Sequence, residues 1–224
     1  MRNALTKLLE NQPDDALGFL AQYFENLDNK SSRIRYAYQE LTLSHYSQVT
    51  FESNALSAYD ILFSGSAQKK GRSLYGSAFH DLLNLICKDI PSPLVERLMK
   101  KICCRDYEVV SFQTFYSGVL ACFVIIEYIY ETTNLYKVMD ASGNNSVNRY
   151  LCTSALKQLA DSLAIPSASQ THMLEAGSML SSDELGKAMN EAIYLGKDRG
   201  SIMKLEEFVE QSAIIYIDHI KPLR

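Results

Sequence analysis

The chain of 224 residues has no tryptophan, only five prolines, ten glycines and five cysteines, and each scarcity closes off some chemistry. With so few glycines there is no G-x-x-x-x-G-K-[ST] loop and no G-x-G-x-x-G turn, so no motif in the sequence cradles a phosphate. The cysteines Cys87, Cys103, Cys104, Cys122 and Cys152 make no C-x-x-C pair, and His45, His80, His172 and His219 lie far apart. Zinc-binding spacings are therefore missing. Adjacent cysteines on a helix point about 100° apart, so Cys103 and Cys104 would not share one ion. A nucleophilic thiol there needs a lowered pKa and a base, and Arg105 is the one helper beside it in the sequence. Positive charge is also short: 22 Lys and Arg against 26 Asp and Glu give a net charge of −4 and an isoelectric point near 5.6. That argues against nucleic acid, whose phosphates require a basic surface. The longest apolar run, Gly118 to Tyr130, is broken by Glu127 and is too short for a bilayer, which implies a buried helix and no membrane partner. An odd number of cysteines, and an N-terminus leading into no signal-peptide core, imply reduced thiols in the cytosol. These readings yield no catalytic, cofactor-binding or metal-binding set.

Helical periodicity is abundant. With 47% hydrophobic and 21% charged residues the chain has the make-up of a globular protein. The spacing predicts helices over Ile34–Val49, Phe51–Phe63, Leu74–Cys87, Pro93–Cys104, Phe112–Met139, Asn148–Ile165, Ser182–Leu195 and Leu205–Ile220. Pro93 suits a helix start capped by Ser92. The stretch around Phe115, Leu120, Phe123, Val124, Ile126 and Tyr130 is largely apolar all round and should be central. Gly65–Arg72 reads as a mobile loop, Asp140–Asn148 as a polar turn and Pro166–Gln170 as a break. Strand-like alternation is scarce and no internal repeat is strong enough to name. The expected class is all-α: a two-helix hairpin over residues 1–29, then an irregular multi-helix domain over 30–224.

Calcium is the best metal candidate. Gly200–Phe208 is similar to the second half of an EF-hand loop, with a glycine, a central isoleucine and a late glutamate. Aligning on Gly200 and Glu206 places Leu195, Lys197 and Arg199 where oxygen ligands belong; aligning on Glu207 and Phe208 displaces the glycine. Arg105–Phe112 forms a comparable turn, again without the ligand set. Such segments point to helix–loop–helix geometry more than to a bound ion. Arg97, Lys100, Lys101 and Arg105 follow three- and four-residue steps and could share a face. That face is either simply solvated or a patch for an acidic partner.

At the N-terminus, Pro13 fits a first helical position, and Asp14 and Asp15 suit the first turn. Leu5, Leu8 and Leu9 before the turn, and Leu17, Leu20, Tyr23, Phe24 and Leu27 after it, exceed what one small hairpin can bury. The surplus asks for a second copy or another partner. The pattern of a leucine pair, a proline–aspartate turn and an aromatic helix resembles the dimerisation and docking motif of type II regulatory subunits of cyclic-AMP-dependent protein kinase. The resemblance implies self-association through a four-helix bundle.

A wider resemblance is carried by Pro13–Asp15, Phe19–Asn26, Leu43–Gln48, Cys104–Glu108, Gly118–Glu127, Leu174–Ser178 and Ile220–Pro222. In combination and order these are similar to the family of tubulin polyglutamylase complex subunit 1. The resemblance implies a non-catalytic subunit that assembles or targets a tubulin-tyrosine-ligase-like glutamate ligase, with other polyglutamylase subunits, to microtubules. The implied locations are cytoplasm and cytoskeleton: centrosome, basal body of the cilium, axoneme. A rival reading is a ciliary or centrosomal docking adaptor that dimerises through its hairpin and has no link to glutamylation.

Overall fold

The computed structural model describes residues 6, 8–9, 15–18, 20, 33–63, 73–163 and 202–223. The expected loop at Gly65–Arg72, break at Pro166–Gln170 and helix at Ser182–Leu195 lie outside them. The described chain is all-α apart from two short strands, in the order α1 (Arg33–Leu41), α2 (Thr50–Phe63), α3 (Gly76–Ile86), α4 (Ser92–Ile102), α5 (Phe112–Met139), β1 (Val147–Asn148), α6 (Arg149–Leu163), β2 (Ile202–Met203) and α7 (Leu205–His219). It divides into two compact units. One comprises Met1–Asp89, Met99–Phe123 and Pro222–Arg224, the other Ile90–Leu98 and Val124–Lys221.

In the first unit α1 packs on α2 and α3. α1 stops at Leu41, well before the expected Val49, because local polar bonds displace the helical ladder. The His45 ring sits 2.7 Å from Ser47 Oγ and accepts the Ser47 N–H, while Gln48 N–H donates to the His45 carbonyl. α2 buries Phe51, Ala55, Ala58 and Leu62 at helical spacing. An aromatic core follows, with Phe51 edge-on to Phe123 at 5.7 Å, Tyr59 against Phe115 at 5.3 Å, and Phe79 against Phe115 at 5.8 Å. Gly118 is required here, since a Cβ would come within 2.6 Å of the Phe79 ring.

In the second unit α6 and α7 pack together. Tyr136, Leu151, Cys152, Leu156, Met203 and Phe208 share its core. α4 begins at Ser92 with the Pro91 carbonyl accepting the Leu94 and Val95 N–H groups, so Pro93 lies inside the first turn and not at its start. The boundaries of α5 match the sequence expectation; its surroundings do not. Ile126 and Tyr130, expected in the core, are exposed, while Ile125, Tyr128 and Tyr136 are buried. By length and composition alone α5 could cross a bilayer, but one side of it is committed to protein core.

Both units contain the same device, which the sequence did not reveal. In the first, Tyr75 bridges Val109 antiparallel, just ahead of α3 and α5. Val110 N–H donates to the Leu74 carbonyl and Gly76 N–H to that of Glu108, each at 2.9 Å. In the second, Val147 pairs with Met203 and Asn148 with Ile202, just ahead of α6 and α7. Each unit is thus built on two helix-entry segments joined back to back, the plan of a helix–loop–helix pair. Two-residue strands are too short for their alternation to show in sequence.

The buried Tyr136 phenol secures the second pairing by donating to the Met203 carbonyl at 2.7 Å. Burial raises its pKa, while a backbone hydrogen bond from Val147 acts in the other direction. Tyr128 stacks on Tyr216 at 5.0 Å, but its hydroxyl is buried with no hydrogen-bond partner among the described residues, and burial pushes that phenol well up. The two tyrosines should respond oppositely to loss of the hydroxyl. In urea unfolding, Tyr136→Phe should cost about 1–3 kcal/mol by stranding a buried carbonyl, whereas Tyr128→Phe should be neutral or stabilise by about 1 kcal/mol.

Candidate interaction site

Of the N-terminal residues expected at an interface, Leu5, Tyr23, Phe24 and Leu27 lie outside the described residues. Leu8 and Leu20 are half-buried in one apolar cluster with Tyr36 and Leu43. Leu9 and Leu17 face solvent, 72% and 81% exposed. The leucines therefore divide into a set held by the chain itself and a set left outward. Asp15 precedes the helical residues 16–18 and accepts the Gly18 N–H at 2.9 Å as an N-cap does, so it stands ahead of the first turn in which the sequence places it.

The basic residues do not act alike. Arg97 makes a bidentate ion pair with Asp218, at 2.8 and 2.9 Å, which ties α4 to α7. Lys100 is exposed and Lys101 half-buried. Arg105 lies beyond the end of α4 and donates to the Tyr107 hydroxyl at 2.9 Å. The Arg97 charge is thus matched by a carboxylate, while the Arg105 guanidinium meets a neutral hydroxyl. Cys122 and Cys152 are buried thiols held towards their protonated form. Burial first, then the neighbouring Cys87, raises Cys122; burial pushes Cys152 up to about 11; and Cys103 donates to Met99 Sδ at 3.3 Å. Among the described residues no three His, Cys, Asp or Glu side chains converge as metal ligands would.

The loop between α5 and β1 has the plan of an EF-hand loop, which sequence reasoning missed by reading it as a polar turn. Counted from Asp140, positions one, three and five are Asp140, Ser142 and Asn144, and Asn145 at position six has φ +57°, where EF-hands place glycine. Asn tolerates this left-handed conformation better than most residues. The Asp140 carboxylate accepts the Asn145 N–H at 2.7 Å and the Ser142 hydroxyl at 3.0 Å. Although partial desolvation opposes it, these bonds hold the Asp140 pKa below the usual carboxylate range. At position twelve, where a calcium loop needs a bidentate glutamate, stands buried Leu151.

The register Val147↔Met203 makes Glu207 the counterpart of Leu151. Hence the alignment on Glu207, not the one on Gly200 and Glu206, describes the second loop. Glu207 turns both carboxylate oxygens to Arg149, at 2.6 and 2.8 Å, and Arg149 also donates to the Ile202 carbonyl at 3.2 Å. Hydrogen bonding from Arg149 lowers the Glu207 pKa. Asn145 Oδ1 accepts the Leu205 N–H at 2.9 Å, satisfying one of the donors left open at the start of α7. A guanidinium and an amide thus join the two loops. Residues of both types were in plain view in the sequence; only the strand register shows that they meet.

Beside this clip lies a cavity of about 480 Å³. Ile129 and Thr133 of α5 and Leu205 and Val209 of α7 form two walls, and the α4 entry around Pro93 and Leu94 forms a third. Glu206 and Glu210, one helical turn apart, line it too, and among the described lining residues there is no cation. This is the concave, mostly apolar kind of site that accepts a ligand side chain or helix.

Taken with its fold, the chain is an all-α protein of paired helix–loop–helix units, with an ion pair between loops and an apolar groove beside it. The family model for "Tubulin polyglutamylase complex subunit 1-like, C-terminal" matches residues 28–221, and the chain belongs to that family. The human protein named Tubulin polyglutamylase complex subunit 1 is 33% identical over 244 residues, an alignment spanning 100% of this chain and 83% of that relative. No solved structure matches.

The clip should be visible in acid. A depressed carboxylate pKa contributes stability that is present above the unfolded-state pKa and lost as pH falls through the folded-state one. Thermal midpoints of the wild type should therefore fall on acidification below the normal glutamate range. Glu207→Gln should start lower at neutral pH and lose less on acidification. Parallel acid curves for the two proteins would show that the ion pair contributes nothing to stability.

Proposed function

We propose that this chain is a non-catalytic scaffolding or regulatory subunit of a tubulin polyglutamylase complex. It assembles or targets a tubulin-tyrosine-ligase-like glutamate ligase and other subunits to microtubules, at the centrosome, basal body and axoneme. The observation that carries this reading is likeness to a named complex subunit along the whole of this chain. The surfaces support it in kind, offering outward leucines and an apolar groove. Contact with tubulin can pass through the partners.

The exposed Leu9 and Leu17 favour a second reading, in which residues 1–29 form a self-associating hairpin and the chain is a ciliary or centrosomal docking adaptor unconnected with glutamylation. Affinity recovery of the tagged full chain from ciliated cells separates the two. A ligase of the tubulin-tyrosine-ligase-like class recovered in fixed proportion supports the subunit reading. A self-associated chain with no ligase supports the adaptor. Leu17→Asp should lower the self-associated fraction by about tenfold in light scattering while leaving the melting curve unchanged, because Leu17 has little to lose in the folded chain. Unchanged association would remove the hairpin from either reading.

A further inference from the structure

We infer that the groove between α5 and α7 is a docking site for a basic amphipathic helix of a partner protein. This rests on reading the chain as a complex subunit, and assigns that contact to a place. Beyond the cavity lining, Ile126 and Tyr130, 37% and 63% exposed, fall with Ile129 and Thr133 in the helical series i, i+3, i+4, i+7, so helical spacing extends the apolar side of α5 past the cavity. Such a strip is about 10 Å long, which suits one face of a helix better than a compact small molecule. An α5 that is apolar enough to cross a bilayer carries exposed Ile126 and Tyr130 on a face that the described residues do not bury.

Charge selects the occupant. Glu206 and Glu210 project from α7 at the groove, and the neighbouring carboxylate, Glu207, is already matched by Arg149. The described lining residues therefore present net negative charge beside apolar walls, which complements leucine-like anchors flanked by lysine or arginine. The same charge rejects a glutamate-rich peptide, so a polyglutamate chain is a poor occupant. Arg149 and Glu207 fix the start of α6 to the first turn of α7, the turn that also carries the groove residues Leu205 and Glu206.

Two measurements on the full chain within its purified complex test this. With a photo-reactive benzophenone side chain introduced at Thr133, mass spectrometry of the cross-linked peptide should identify a basic, helix-forming segment of another subunit. A cross-link to residues 164–201 of the same chain, to a second copy, or to an acidic tubulin tail would overturn the proposal, as would no cross-link. Separately, Glu206→Lys combined with Glu210→Lys should reduce partner recovery at least about tenfold, with the thermal midpoint unchanged and Asp161→Lys on α6 without effect. Recovery equal to wild type, or an equal loss with Asp161→Lys, would overturn it. If the wild-type complex itself incorporates no glutamate, the proposed function fails, whereas the cross-link and the charge reversal still decide the groove.

Discussion

The antiparallel contact of Val147 with Met203, secured by the Tyr136 hydroxyl, is the constraint on which the second unit depends. Once these helix-entry segments are joined, the starts of α6 and α7 are held together, Asn145 reaches the open N–H of Leu205, and Glu207 comes opposite Arg149. The phenol is buried, so its bond to the Met203 carbonyl cannot be exchanged for water without cost. The ion pair is half-exposed and weaker. Its role is to fix one arrangement of the loops, while burial of Tyr136, Leu151 and Phe208 supplies the larger share of stability.

This ordering explains how loops built on a calcium-binding plan can be retained with a different occupant. An EF-hand loop brings oxygen atoms around an ion, and its twelfth residue contributes a bidentate carboxylate. Here one twelfth position is the apolar Leu151 and its counterpart is a glutamate directed to a guanidinium. Arginine suits that exchange, since its planar fork matches a carboxylate with two parallel hydrogen bonds. The two loop ends are thus joined by residues of the chain itself, a permanent arrangement that fits the assembly role proposed above.

Much of the helical plan was legible in the sequence, for physical reasons. α5 could be read from Phe112 to Met139 because Ser111 accepts the Thr114 N–H at its start and a polar, glycine-bearing turn follows its end. α1 was over-read because Ser44, His45 and Ser47 are compatible with helical periodicity but bond locally instead. The exposure of Ile126 and Tyr130 was not legible, since an apolar side chain looks the same whether it faces a core or awaits a partner. The Arg149–Glu207 pair joins residues 58 apart in sequence and depends on a strand pairing of two residues, too short to leave a pattern.

The central claim, that this chain assembles a glutamate-adding enzyme and does not itself perform the ligation, is most directly tested by incorporation of labelled glutamate into microtubules. The material recovered on the tagged chain from ciliated cells should incorporate it with ATP present, and the recombinant chain alone should not. Incorporation by the recombinant chain alone, or none by recovered material that retains its partner subunits, would contradict the account.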